Sequence, residues 1–323
     1  MYIIKSFAVI CILLSVIISA VGCGSKTKDI KTLEDSKGNS SSIPDKKTGT
    51  KINAEEKWKA TVKTDLSFEF VKCAFLNDSY GIATGFSGEN RITTDGGKNW
   101  TLSMNQSNNS NGYDLIGENI IWYGDDFGDI GISTDKGVNW QLAKKVFLAR
   151  ISYISAIDDN TALIGSRDKV AFTENGAKNL VDVKYKEESE NIAAVNLYSK
   201  NEAYILDYDG NLYCSKDRFK TWKSCIVKDL NGIIKIRSDA ASANSTACIR
   251  NFKDGNITIA FCDDNSGIYI MKSKDEGLTW IKEKVTDESA LNIYLAPDGN
   301  SITYNTGLNT VKRLVYSEKG SGQ

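Results

Sequence analysis

The sequence predicts an all-β fold, a six-bladed β-propeller closed by an N-terminal strand. Three observations predict it. A Trp-ended turn recurs along the chain. Short apolar segments bounded by Gly, Asn and Asp fall between its copies. The last unit lacks one strand, and a spare strand-like stretch precedes the first unit. Repetition at this scale means a repeat architecture.

The turn reads TTDGGKNW from Thr93 to Trp100, STDKGVNW from Ser133 to Trp140, SKDRFKTW from Ser215 to Trp222 and SKDEGLTW from Ser273 to Trp280. A degenerate copy, TENGAKNL, ends on Leu180. The third positions are Asp95, Asp135, Asn175, Asp217 and Asp275, spaced by 40, 40, 42 and 58 residues. The hydroxyl and the carboxylate suit bonds to nearby backbone N–H groups in a tight turn. The Gly accepts a positive φ. The Trp returns to an apolar layer, where its N–H can find an acceptor. The pattern is a staple for two strands and carries no reactive group.

It resembles the Asp-box, or BNR, repeat of sialidase-like β-propellers, over roughly residues 57–318. In that family the box links the third and fourth strands of a blade. A second resemblance is to the propellers of photosystem assembly factors, which act as binding scaffolds.

The units parse in order. Phe70–Leu76, Tyr80–Gly85 and Arg91–Thr94 are the first three strands of blade one, and Trp100 opens the fourth. Blade two uses Tyr113–Gly117, Ile120–Gly124 and Ile130–Thr134; blade three uses Ile151–Ile157, Thr161–Gly165 and Val170–Thr173. Blade four uses Ile192–Tyr198, Ala203–Tyr208 and Asn211–Ser215. In blade five the inner strand falls at ACIRNF, beside Cys248, leaving residues 230–246 as an insertion on the face away from the turns. The competing reading makes IIKIRS that strand. Blade six has Leu291–Ala296, Ser301–Asn305 and Val311–Ser317 but no fourth strand. Lys57–Thr64 can supply it, with Trp58 in the slot that Trp100 or Trp280 fills elsewhere, which removes the open edges of the ring. A seventh blade would have to come from the blade-five insertion, whose roughly 17 residues are too few for four strands.

Ahead of the propeller, one Lys precedes an apolar run from Phe7 to Val21, followed by Gly22 and Cys23. The run is short for a membrane span, which needs about 20 apolar residues, and it has the layout of a secretory signal. Ala-Val-Gly-Cys resembles a bacterial lipobox. The resemblance implies a signal peptide over residues 1–22, cleavage before Cys23 and a palmitate-bearing diacylglyceryl anchor on that cysteine, with the chain at the extracytoplasmic face of the cell membrane. Two acyl chains suffice for stable anchoring. Residues 23–56 are polar and cannot offset their ordering entropy by burial, so they read as a flexible tether. Residues 319–323 are a tail.

Composition narrows the functions. The formal charge is −1 with no basic run, which argues against nucleic acid. The chain has no His, so Ser-His and Cys-His couples and imidazole zinc sites are excluded. Beyond the signal and Cys23, five cysteines remain: Cys73, Cys214, Cys225, Cys248 and Cys262. Without a CxxC spacing a thiolate metal site is not indicated. They read as small buried thiols or as the cross-hairpin pairs Cys214/Cys225 and Cys248/Cys262.

The turns lie on one face, which leaves the other for ligands. The candidates there are Trp122, Asp125, Asp126, Asp129 and Arg167. YGDDFGD, from Tyr123 to Asp129, reads either as a hard-cation or sugar site with Trp122 stacking or as an ordinary acidic turn. Sialidase activity does not carry over. That family has an Arg-Ile-Pro motif and three arginines clamping a carboxylate, whereas Arg91-Ile92 here runs into Thr-Thr-Asp. The expectation is a monomeric, cofactor-free, metal-free scaffold that binds an extracytoplasmic protein or glycan, with a propeller-type glycoside hydrolase using paired carboxylates as the alternative. An enzyme would show a deep pocket with two carboxyl groups about 5–10 Å apart. A solute-capture protein would show a closed apolar pocket.

Overall fold

The computed structural model describes residues 57–85, 88–105, 109–147, 150–187, 191–238, 246–252, 255–264 and 267–317. The signal segment, Cys23, the tether and the tail lie outside these residues. Among the described residues all regular elements are strands, and the chain forms a six-bladed β-propeller.

The N-terminal strand is β1 (Trp58–Asp65). Blade one is β2 (Phe70–Phe75), β3 (Gly81–Gly85), β4 (Glu89–Thr93) and β5 (Thr101–Asn105). Blade two is β6 (Ser110–Ile116), β7 (Ile120–Asp125), β8 (Ile130–Ser133) and β9 (Gln141–Ala143). Blade three is β10 (Tyr153–Ala156), β11 (Ala162–Gly165), β12 (Val170–Thr173) and β13 (Val181–Asp182). Blade four is β14 (Ile192–Ser199), β15 (Glu202–Asp207), β16 (Asn211–Ser215) and β17 (Lys223–Ile226). A small hairpin, β18 (Lys228–Asp229) with β19 (Gly232–Ile233), follows. Blade five is β20 (Ala247–Asn251), β21 (Ile257–Cys262), β22 (Ile268–Ser273) and β23 (Ile281–Thr286). Blade six is β24 (Asn292–Leu295), β25 (Ser301–Asn305) and β26 (Thr310–Tyr316), completed by β1.

Each sheet is antiparallel and in chain order, so the recurring turn joins third and fourth strands in blades one to five. The inner strand of blade five is β20, as ACIRNF predicts. IIKIRS does not form it: Ile236 only bridges to Asp263 at the end of β21. The turn that joins second and third strands, and every link between blades, emerges at the end opposite the boxed turns.

The core is six seams rather than one centre. Each apolar cluster joins neighbouring blades. Trp100 packs in the seam between blades six and one, Trp140 between one and two, Trp222 between three and four, and Trp280 between four and five. Leu180, which replaces Trp in the degenerate turn, packs between blades two and three. Inner strands such as β2 are buried on both faces, which explains why they read as continuous apolar runs.

Closure follows the expected pairing, with one refinement. Trp58 pairs with Tyr316 and Thr64 with Val311. Thr101 pairs with Ile92, the residue before the turn's Thr93. Tyr316 likewise precedes Ser317, so Trp58 stands one register place beyond the boxed tryptophans. It still fills the seam between blades five and six, at 5% exposure, against Tyr316 at 5.2 Å. Its N–H goes to Glu283 Oε1 at 3.2 Å instead of a turn carbonyl.

Candidate functional site

The recurring turns hold themselves. Thr93 Oγ1 donates to Asp95 Oδ1 at 2.8 Å and accepts the Gly97 N–H at 2.9 Å. Asp95 Oδ1 accepts the Asn99 N–H at 2.9 Å, and Trp100 Nε1 donates to Gly97 O at 3.0 Å. The same bonds recur at Ser133, Asp135 and Trp140, and at Ser273, Asp275 and Trp280. Asn175 repeats the first part with Thr173 and the Asn179 N–H. In the turn around Asp217, Phe219 takes the glycine's place at φ 66° and Trp222 Nε1 is buried without a hydrogen bond. Each boxed turn also donates a backbone N–H to the first hairpin of its own blade, as in Gly96 to Ser79 O and Lys136 to Asn119 O. Hydrogen bonds from Asn99, then Thr93, hold the Asp95 carboxyl down at about 2. Those from Thr221, then Ser215, do the same for Asp217, also about 2. These carboxylates are structural.

The acidic cluster is a self-satisfied turn. Asp125 Oδ1 accepts the N–H groups of Phe127 and Asp129, both at 2.9 Å. Asp126 accepts Asn109 and Asn111 side chains and pairs with Arg150. Asp129 accepts the Lys145 N–H at 2.7 Å. Among the described residues no group of three His, Cys, Asp or Glu is placed to hold a metal ion. Trp122 is a correction. It is fully buried, packed against Ile130, Ile132 and Ile151, and donates to Asp158 O at 2.9 Å, so it offers no face to a sugar. Arg167 is exposed on the expected face, with Asn191 at 3.5 Å. The structure does not bring it together with Trp122 in one site. The five remaining cysteines are free thiols; Cys214 pairs in register with Lys223, Cys225 with Leu212 and Cys248 with Ala260, and neither cross-hairpin disulfide forms.

The residues that sequence patterns did not single out lie on the axis. Asp114 on β6 and Arg250 on β20 meet there, buried, at 2.7 and 3.3 Å. Asp114 also accepts the N–H groups of Leu115 and Ala156, each at 3.0 Å. Arg250 Nε donates to Leu295 O at 3.1 Å, and its guanidinium lies 5.4 Å from the Tyr294 ring centre. Desolvation works against the Arg250 charge, but Asp114, with Cys248 and Tyr294, together outweigh it and raise its pKa. Beside this plug is a cavity of about 50 Å³, lined from all six inner strands, with Lys72, Tyr113, Tyr153 and Tyr294 on its wall. Lys72 Nζ donates to Ser152 O at 3.0 Å. Burial, then the nearby Arg150 charge, lowers its pKa to about 7. The one available signal is a charge inside an apolar strand: Lys72 in FVKCAF, Asp114 in YDLI, Arg250 in ACIRN.

This cavity is far smaller than the roughly 300 Å³ at which ligand pockets begin, and among the described residues no carboxylate lines it. The Asp114 carboxylate at the axis is committed to Arg250. The axial cavity therefore lacks, among the described residues, the pair of carboxyl groups that glycoside hydrolysis needs.

The fold is shared with solved propellers. The chain is similar to "YCF48 bound to D1 peptide", with 14% identity and a TM-score of 0.51 over 80% of this chain and 95% of that one. It is similar to a chain of the mitotic checkpoint complex, with 11% identity and a TM-score of 0.57 over 90% of this chain and 100% of that one. It is also similar to the WD40 propeller domain of Doa1, with 13% identity and a TM-score of 0.50 over 81% and 98%. No family model matches the sequence, and no curated protein does. The class these likenesses and the six sheets define is a β-propeller.

Proposed function

We propose that this chain is an Asp-box propeller lipoprotein, tethered by Cys23 at the extracytoplasmic face of the cell membrane. In this reading it binds a protein segment or glycan on the face away from the boxed turns. The observation that carries the reading is the closed axis. With Asp114 and Arg250 plugging the ring and a cavity of about 50 Å³ beside them, recognition falls to the rim of loops. That rim exposes Phe127 at 63%, Leu230 at 105% and Leu308 at 42%, and the Arg150 and Arg167 side chains are exposed as well. Apolar groups ringed by charge suit a protein surface better than a small solute. A peptide-bound relative of the same fold, at 14% identity, fits this reading.

The test uses the mature chain from Cys23 on peptide and glycan arrays. Phe127→Ser with Leu230→Ser is compared with Val138→Ser and Leu278→Ser on the boxed-turn face. The reading predicts loss of binding in the first variant and unchanged binding in the second. The reverse pattern overturns it. Anchoring is tested separately. Cys23→Ser should move the chain from the membrane to the soluble fraction, and retention at the membrane contradicts the tether.

A further inference from the structure

A second cavity lies at the seam between blades four and five, on the side of the boxed turns, and has a volume of about 470 Å³. Leu212 and Cys214 of β16, Cys225 of β17 and Leu278 of the blade-five turn give it an apolar lining. Two of these groups are thiols, both half-buried and free. Cys214 pairs in register with Lys223, and Leu212 with Cys225. The two cysteines are therefore diagonal neighbours on one face of the β16–β17 hairpin. Both pack against the apolar cluster that joins the two blades. The blade-five turn lies close over Cys225: a Cβ at Gly277 would stand 3.2 Å from its Sγ.

That spacing favours one chemistry over another. Diagonal neighbours stand about 7–8 Å apart at Cα, whereas a disulfide rarely spans more than about 7 Å and its S–S bond is only about 2 Å long. A metal ion between the sulfurs spans two bonds instead of one, roughly 4–5 Å if each is about 2.3 Å as in a zinc thiolate. Thiolates select soft ions such as Cu(I). A structural zinc ion asks for four ligands, and among the described residues no third His, Cys, Asp or Glu joins this pair in a metal-holding group.

We propose that Cys214 and Cys225 bind one soft monovalent cation of the Cu(I) class, as a two-coordinate bis-thiolate in the cavity between blades four and five. Burial raises both thiols, so each keeps its proton at neutral pH until a metal displaces it. Binding exchanges two protons for one cation. Two Cu–S bonds form, both S–H bonds break, the protons pass to solvent, and no oxidation state changes. The product carries one negative charge. Lys223 lies on the same face, in register with Cys214, and lines the cavity, so a cationic side chain borders that charge. Cys248 and Cys262 are also diagonal neighbours, since Cys248 pairs with Ala260. Cys262 is fully buried and lines neither this cavity nor the axial one, so that pair serves as an internal control. The site is independent of the rim reading, because it lies on the side of the boxed turns.

The experiment titrates the mature chain carrying Cys23→Ser, which removes the anchor thiol, with Cu(I) supplied anaerobically as its acetonitrile complex. Native mass spectrometry should record one Cu(I) per chain with the loss of two protons. Cys214→Ser and Cys225→Ser should each abolish this binding, and Cys262→Ser should leave it intact. Should either of the first two variants fail to fold, alkylation of the parent chain decides. Cu(I) should protect Cys214 and Cys225 together from iodoacetamide, read by peptide mapping, and Zn(II) at the same concentration should not. No bound Cu(I), binding that survives in Cys214→Ser or Cys225→Ser, protection confined to other cysteines, or equal protection by Zn(II) overturns the site.

Discussion

Asp114 and Arg250 stand 136 residues apart in the chain and bond to each other at the propeller axis, from blades three places apart around the ring. No sheet hydrogen bond links those two blades. The pair therefore acts as a cross-brace over a hole that side chains would otherwise have to fill. Each partner is further bound to backbone: Asp114 to Leu115 and Ala156, Arg250 to Leu295. Those extra bonds offset the desolvation that a buried pair suffers.

Removing one partner should cost far more than removing both charges. Arg250→Met leaves a buried carboxylate and should lower stability by about 3–5 kcal/mol. Adding Asp114→Asn restores neutrality and keeps an acceptor for the Ala156 N–H, so the double variant should recover a substantial part of the loss. Urea unfolding of the four forms in a double-mutant cycle measures this. A cycle with no coupling would show that the two residues do not interact.

The tryptophans differ in a way that can be measured. Trp140 packs edge-on to Tyr123 at 5.4 Å and bonds to Gly137 O, so Trp140→Ala should cost roughly 3–5 kcal/mol through the cavity it opens. A loss under about 1 kcal/mol would deny its packing role. The indole N–H of Trp280 is bonded at 2.9 Å, while that of Trp222 is buried and unbonded. Replacement by Phe should therefore cost about 1 kcal/mol less at Trp222 than at Trp280, by comparison of denaturation midpoints.

Acid should act through the turns. Asp95, Asp135, Asp217 and Asp275 are all held below the ordinary carboxylate range by hydrogen bonds from their own turns. A depressed folded pKa gives stability that is complete above the unfolded value and is lost as pH falls through the folded one. The window runs from about 4 down to about 2. Stability measured from pH 5 to pH 2 should fall across that window, and Asp95→Asn with Asp217→Asn should flatten the fall. An unchanged slope in the double variant would count against this origin.

Much of the ring is legible in the residues themselves. The turn from Thr93 to Trp100 and its copies mark the third and fourth strands because their hydroxyl, carboxylate and Trp must recur together to make the same bonds. Trp58 is legible as the closing residue because only blade six lacks a partner strand. Its one-place register shift is not, since no local pattern records pairing across the chain ends. Trp122 is misplaced by sequence for a physical reason. It adjoins the acidic turn along the chain, but β7 is buried on both faces, and the residue before a loop need not share the loop's surface. Asp114 and Arg250 stand out only as charges in apolar strands. Nothing local to either could reveal that ring closure brings them into contact.

Amide hydrogen exchange followed by mass spectrometry tests ring closure most directly, because it reads backbone pairing without altering the chain. Peptides covering Trp58–Asp65 and Thr310–Tyr316 should exchange slowly and open together, as partners in one sheet. Exchange of the Trp58–Asp65 segment at the rate of an unstructured chain, while Thr310–Tyr316 stays protected, would contradict the closed propeller.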